Sequence, residues 1–203
     1  MGRSINTSNS KTTNNFSGTS STFAGIDQAI PRLVTLHGDV SENSISTVIS
    51  QLLYLAEIDN VKPIQLIIST YGGSVDEMFA LYDVIKCLPC PVHTIALGKV
   101  MSAGVLLFAA GTKGHRHVGK NSRFMMHRIV GGSYGSVLEN DANNSAMKYQ
   151  QNLMNKRLRE ESNLTLKQIK KIMGLGFDHY LSPEEILKYG LGDKLLLDDK
   201  FSI

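Results

Sequence analysis

The sequence predicts an α/β fold built from repeated strand–helix units. Three observations carry that expectation. From Pro31 onward, short β-branched or apolar runs alternate with runs of helical period. Glycine, proline or a helix-capping serine marks most of the junctions. A strand that rejoins its sheet through a helix must pair in parallel, by a right-handed crossover.

In chain order, Leu33 to Leu36 reads as a short strand. Ser41 caps a helix carrying Ile45, Val48, Ile49, Leu52 and Leu53 on one face. Pro63 restarts the chain and Ile64 to Ile68 forms a strand, broken by Gly72-Gly73. Ser74 opens a helix with Val75, Met78, Leu81, Tyr82 and Ile85 at helical spacing, closed by Pro89 and Pro91. Val92 to Leu97 is the next strand, and Ser102 opens a small-residue helix reaching Ala110. Phe124 to Met126 is a strand ending at His127. A stretch with Gly131, Gly132 and Gly135 leads to a long polar helix, Val137 to Glu161, and Thr165 to Met173 makes a short basic helix. Ser182-Pro183-Glu184-Glu185 is a capping box for the last helix, and Leu195 to Leu197 closes with a strand.

Composition narrows the function. Of 203 residues, 42% are hydrophobic and 19% charged, enough apolar material for a core and too much for global disorder. The longest strongly apolar stretch, Val105 to Ala110, falls far short of the roughly 20 residues that span a bilayer. A net charge of +3 makes no case for a nucleic-acid partner. No apolar run near the start suggests a secretory signal, and Asn6 breaks the myristoylation pattern. A soluble cytoplasmic protein without membrane or nucleic-acid partners is expected. Residues 1–22 contain fifteen Ser, Thr or Asn and read as a flexible tail, with an organelle leader as the alternative. Residues 23–203 read as a single domain.

The candidate chemistry starts at Ser102, within Gly98-Lys99-Val100-Met101-Ser102-Ala103-Gly104. A serine between a strand and a helix presents its hydroxyl at the sheet edge, beside N–H groups that favour an anion. An ordinary N-cap serine fits the same local pattern. Ser69-Thr70-Tyr71-Gly72-Gly73-Ser74 also follows a strand. Its paired glycines permit close backbone approach and could aim N–H donors at a developing oxyanion; a tight turn is the plainer reading. The run lacks the third glycine or the lysine of a phosphate-binding loop.

A serine nucleophile needs a base. Six histidines are available: His37, His93, His115, His117, His127 and His179. His127 is favoured because it ends a strand next to the glycine-rich stretch. His93 reads as packed in or beside a strand, and His115 and His117 as lying on a turn-like stretch. Asp178, beside His179 in a short polar interruption between helices, would be the orienting carboxylate. The order Ser102, His127, Asp178 differs from those of chymotrypsin, subtilisin and the α/β-hydrolases. Cys87-Leu88-Pro89-Cys90 closes a helix rather than opening one, and although His93 could supply a third zinc ligand there is no fourth, so plain thiols are expected. No metal or cofactor is expected.

From about Arg32 to Leu196 the sequence resembles the proteolytic subunit family of the Clp protease, ClpP. Thr70-Tyr71-Gly72-Gly73 stands at the family's Ser-Pro-Gly-Gly motif, and Met101-Ser102-Ala103-Gly104 at its nucleophile motif. Asn121-Ser122-Arg123 with Met125-Met126-His127 matches the histidine segment. Asp178-His179-Tyr180-Leu181-Ser182 matches the aspartate segment, and Lys188-Tyr189-Gly190-Leu191-Gly192-Asp193 the family's ending. The interval of 25 residues from Ser102 to His127 also agrees.

The resemblance implies a ClpP/crotonase-like spiral of strand–helix units with a protruding handle helix from Val137. It implies a homo-oligomer of two stacked heptameric rings enclosing a chamber, fed by an AAA+ unfoldase of the ClpX, ClpA or ClpC type. It implies Ser102 as nucleophile, His127 as base and Asp178 as orienter, with the Gly73 and Ala103 N–H groups as oxyanion donors. Gly72, Ser74, Ile129 and Val130 would contact an extended polypeptide substrate. Ala103 replaces a methionine and Tyr71 a proline; Gln65 and Ile67 replace docking aromatics, and Cys87 stands where an aromatic residue is frequent. A serine endopeptidase of broad specificity is the expectation. Its alternatives are a weakly active ring subunit beside an active paralogue, and a crotonase-type acyl-CoA enzyme, which needs no matched serine and histidine.

Overall fold

A computed structural model describes residues 31–132, 134–174 and 176–196. The expected tail, and the Leu197 end of the expected last strand, lie outside them. The element order is β1 Leu33–His37, α1 Glu42–Ile58, β2 Ile64–Thr70, α2 Val75–Cys87, β3 Val92–Met101 and α3 Ala103–Ala109. There follow β4 Arg116–Val118, β5 Arg123–Met126, α4 Val137–Glu160, α5 Leu166–Gly174, β6 His179–Leu181, α6 Pro183–Lys188 and β7 Lys194–Leu195.

The expected parallel sheet is present. Its main path runs β1-β2-β3-β4-β7, all parallel, while β5 branches from β3 and carries β6 antiparallel on its other side. Two strands depart from the sequence expectation. The His115–His117 region is not a turn: Arg116–Val118 pairs with β3, although three residues are too few to show a period. The polar interruption at Asp178-His179 leads straight into β6. Strand β3 is also longer than expected, reaching Met101, because Gly98 adopts φ 66° and the chain pairs again with β5 beyond it.

The core lies between one face of this sheet and the helices α1, α2 and α3. Helix α3 is buried at every position, with Leu106, Leu107 and Phe108 fully enclosed; each such side chain contributes about 1.5–3 kcal/mol of burial. Helix α1 turns Ile45, Val48, Leu52 and Leu55 inward. Leu53 is 52% exposed, against expectation, because it sits a further 100° round the helix from Leu52. Ser41, Ser74, Ser136 and Ser182 each accept the third helical N–H, so the helices begin at these caps; Ser41, Ser74 and Ser182 are the starts the sequence marks, and Ser136 is a further one.

Helix α4 differs. It buries only Met154, Asn155 and Leu158, all near its C-terminus, and leaves Val137, Leu138 and Tyr149 exposed. Below its end, Glu161 is 3% exposed and accepts from the Tyr82 hydroxyl at 2.7 Å and the Lys86 ammonium at 2.9 Å. Arg116, also 3% exposed, donates to the Glu161 carbonyl and pairs with Asp193. Burial opposes the charge on Asp193, but the Arg116 guanidinium and the Gly114 and Arg116 N–H groups outweigh it and hold the carboxyl below its ordinary range.

Candidate active site

Ser102 sits on the turn between β3 and α3. Parallel pairing sets Met101 opposite Met125, and the Ser102 N–H donates to the Met125 carbonyl at 2.8 Å. The serine is therefore held against the end of β5, two residues before His127. Its backbone has φ 53° and ψ −120°, and it is the only described residue other than glycine with positive φ. Those angles belong to the first central residue of a type II′ turn, a position that glycine dominates. A serine there stores strain of about 1–3 kcal/mol.

The capping alternative for Ser102 fails on geometry. The four serine caps named above bond their own helix, but Ser102 makes no side-chain cap bond. Its Oγ instead lies 2.7 Å from Nε2 of His127. A neutral imidazole accepting at Nε2 carries its proton on Nδ1, which needs an acceptor. Asp178 occupies the register position for it: in the antiparallel β5–β6 ladder Met126 faces His179, so one further step sets His127 opposite Asp178. Among the described residues no hydrogen bond or ion pair joins the two, and Asp178 is exposed. The structure thus brings Ser102 and His127 into contact and leaves Asp178 adjacent in register but unengaged.

The glycine pair is fixed from two sides. The Gly72 N–H donates to Thr70 Oγ1, and its carbonyl accepts from the Val40 N–H at 2.8 Å. The Val40 carbonyl in turn accepts from Ser74 N–H, which brackets Gly73. Gly72 has φ 102°, and a Cβ on it would lie 2.6 Å from the Ser102 Cβ and 3.1 Å from the Ala103 nitrogen. A Cβ on Gly73, at φ 148°, would collide with the Val40 carbonyl oxygen. Both positions therefore require glycine. The Gly73 and Ala103 N–H groups have no acceptor among the described residues and border the same small pocket as Ser102 and His127. Ser74 serves as the cap of α2. Tyr71, 63% exposed, lies under the Lys99 ammonium at 4.8 Å, a contact that restrains the loop where proline is absent.

Ile129 and Val130 form the pocket's far wall. The Ile129 N–H donates to Gln151 Oε1 at 2.7 Å, so that donor is already engaged by α4. The sequence reading passed over Gln151, Asn155 and Met154, which stand behind this segment. Their spacing of three and four along α4 was the available signal, but a polar helix face reads equally well as solvated.

The other candidates lie elsewhere. His93 is half-buried and stacks on His115 with centroids 4.1 Å apart. Cys87 is exposed and Cys90 buried, both free, with an Arg32 N–H directed at the Cys90 sulfur. Among the described residues no group of three or more His, Cys, Asp or Glu is placed to hold a metal, and no helix is long and apolar enough to cross a membrane.

A parallel sheet whose strand ends carry a strained serine, a bonded histidine and a backbone donor pair defines a serine-hydrolase type of site on an α/β spiral. Comparison with protein families agrees. The model of the Clp protease family matches residues 24–199, and the chain belongs to that family. It is accordingly a ClpP-like peptidase by descent, from a family of oligomeric serine peptidases that work with unfoldase partners.

Proposed function

We propose that the chain is a self-compartmentalised serine endopeptidase that cleaves unfolded proteins and short peptides. The observation that carries this is the 2.7 Å contact of His127 Nε2 with Ser102 Oγ on a strained turn. In this mechanism Ser102 Oγ attacks the scissile carbonyl and His127 takes its proton. The Gly73 and Ala103 N–H groups stabilise the oxyanion. His127 then protonates the leaving amine, and water, activated by the same imidazole, releases the acyl group. Asp178 holds the Nδ1–H tautomer. Gly72, Ser74, Ile129 and Val130 line the path of an extended substrate, whose backbone pairing tolerates many sequences.

The exposed Val137, Leu138 and Tyr149 of α4 support the double-ring reading, since such a face asks for a partner. Two stacked heptameric rings fed by an ATP-driven unfoldase, in the cytoplasm, complete the proposal. The test is labelling by a fluorophosphonate, mapped by mass spectrometry, with size from light scattering. Label on Ser102 in a large ring is the expected result. An assembled ring without label would overturn the endopeptidase reading in favour of a weakly active structural subunit, which the unengaged Asp178 favours.

A further inference from the structure

We propose that the cavity beside Ser102 is a substrate subsite for a carboxylate side chain, so that the enzyme favours acidic segments. The inference rests on the peptidase reading and names a substrate class for it. The cavity measures about 480 Å³ and lies between the segment after β5 and helices α4 and α5. It shares Arg128, Ile129 and Val130 with the small pocket at Ser102 and His127. A residue close to the scissile bond of a strand lying along Ile129-Val130 therefore reaches it, since alternate side chains of a strand point to one side.

Charge supplies the first argument. Arg128, Lys148 and Lys170 line the cavity, no carboxylate does, and none of the three is ion-paired among the described residues. The second argument is independent of charge. Asn155 lines the cavity and is only 5% exposed. Its Oδ1 accepts from Gln151 Nε2 at 2.9 Å, and Gln151 Oε1 is fixed by the Ile129 N–H. That relay leaves the Asn155 amide N–H donors without an acceptor among the described residues. The Asn155 nitrogen is not among the fully enclosed unpartnered atoms, so it stays open to a ligand, and a carboxylate oxygen in the cavity would accept from it. Met147 and Met173 offer apolar wall for the methylenes of Asp or Glu. A basic side chain would meet only like charge, and a neutral amide would leave the cations uncompensated.

The experiment uses full-length Ser102→Ala protein and fluorescence anisotropy. One peptide sequence, amidated at its C-terminus, carries Glu, Gln or Lys at each position in turn. At one position the Glu peptide should bind about tenfold more tightly than its Gln isostere, a preference that shrinks as salt is raised. Lys148→Gln with Lys170→Gln should bring the Glu-to-Gln ratio near one, and Lys170→Glu should move the preference toward Lys. Three results would overturn the inference: no binding of any peptide, equal binding of Glu and Gln at every position, or a ratio indifferent to the lysine substitutions. Cleavage of the same peptides by the unsubstituted protein is followed in parallel. Absence of all turnover overturns the peptidase reading, while the binding ratio still decides the cavity.

Discussion

Replacing Ser102 separately by alanine and by glycine should reverse the usual ranking of those two residues. Both substitutions remove the hydroxyl and its bond to His127, so their difference isolates the backbone. At an ordinary position glycine is less stable than alanine by about 0.5–1 kcal/mol, through the entropy of the unfolded chain. At φ 53°, ψ −120° alanine retains the strain that serine carries, and glycine does not. Taking that strain as about 2 kcal/mol, the middle of the range for such conformations, the glycine variant should be the more stable by roughly 1 kcal/mol. For a chain of 203 residues this corresponds to about 2–4 °C in Tm. The assay is thermal unfolding of both variants at one protein concentration, after light scattering has shown the same assembly state. If Ser102→Gly melts below Ser102→Ala by the ordinary margin, the turn is unstrained, and the reading of Ser102 as a presented nucleophile loses its structural basis.

Ser102→Ala and His127→Ala should each abolish peptide cleavage, and the double variant should be no worse than either, because the pair acts as a unit; residual turnover above roughly one part in a thousand in Ser102→Ala would refute the nucleophile assignment. Asp178→Asn should lower kcat by about 10³–10⁴-fold through the wrong imidazole tautomer, and an unchanged rate would mean another group orients His127. Gly73→Ala should displace the loop against Val40 and cost about 10²-fold in kcat, with normal turnover ruling out its N–H as oxyanion donor. Burial, then the charges of His115 and His117, lowers the His93 pKa to about 4. The folded state therefore resists a proton that the unfolded chain accepts near 6.5, and stability is full above that pH and declines as pH falls toward 4. Discounted for the ring's partial exposure, the loss is about 1–2 kcal/mol. Urea midpoints at pH 7.5 and 4.5 should differ less in His93→Phe than in the parent, and equal differences would sink the assignment.

How far the sequence reveals this molecule depends on which signal each element leaves. Helices α1, α2 and α6 announce themselves by period and cap together, and Ile64 to Ile68 by β-branching between Pro63 and the glycine pair. Strands β4 and β6 leave no such trace. Each has three residues, and each is made a strand by its neighbours, β4 by β3 and β6 by β5. Position at a strand–helix junction and a strand end makes Ser102 and His127 candidates, but a plain cap fits Ser102 as well, and only the family motifs in order and at matching spacing single the pair out. The polar relay from Ile129 through Gln151 to Asn155 was not legible, because it joins a loop to a helix face and its meaning lies in burial rather than spacing.

These cases share one cause, the register of three strands. Ser102, His127 and Asp178 stand respectively just past β3, just past β5 and just before β6. Parallel pairing of Met101 with Met125 fixes the serine relative to the histidine. Antiparallel pairing of Met126 with His179 fixes the histidine relative to the aspartate. A slip of one residue in either ladder would turn every side chain of the moved strand to the other face. It would also expose Phe124 or Leu181, which are buried on the core side. The hydrophobic core therefore enforces the register, and the register enforces the order of the site. That is why the serine and histidine already touch in a single chain. All three lie one residue outside a ladder, but Ser102 is tied by its N–H to the Met125 carbonyl and His127 by its contact with Ser102. No hydrogen bond or ion pair among the described residues holds Asp178, and so it is the member of the three whose engagement the sheet alone does not secure.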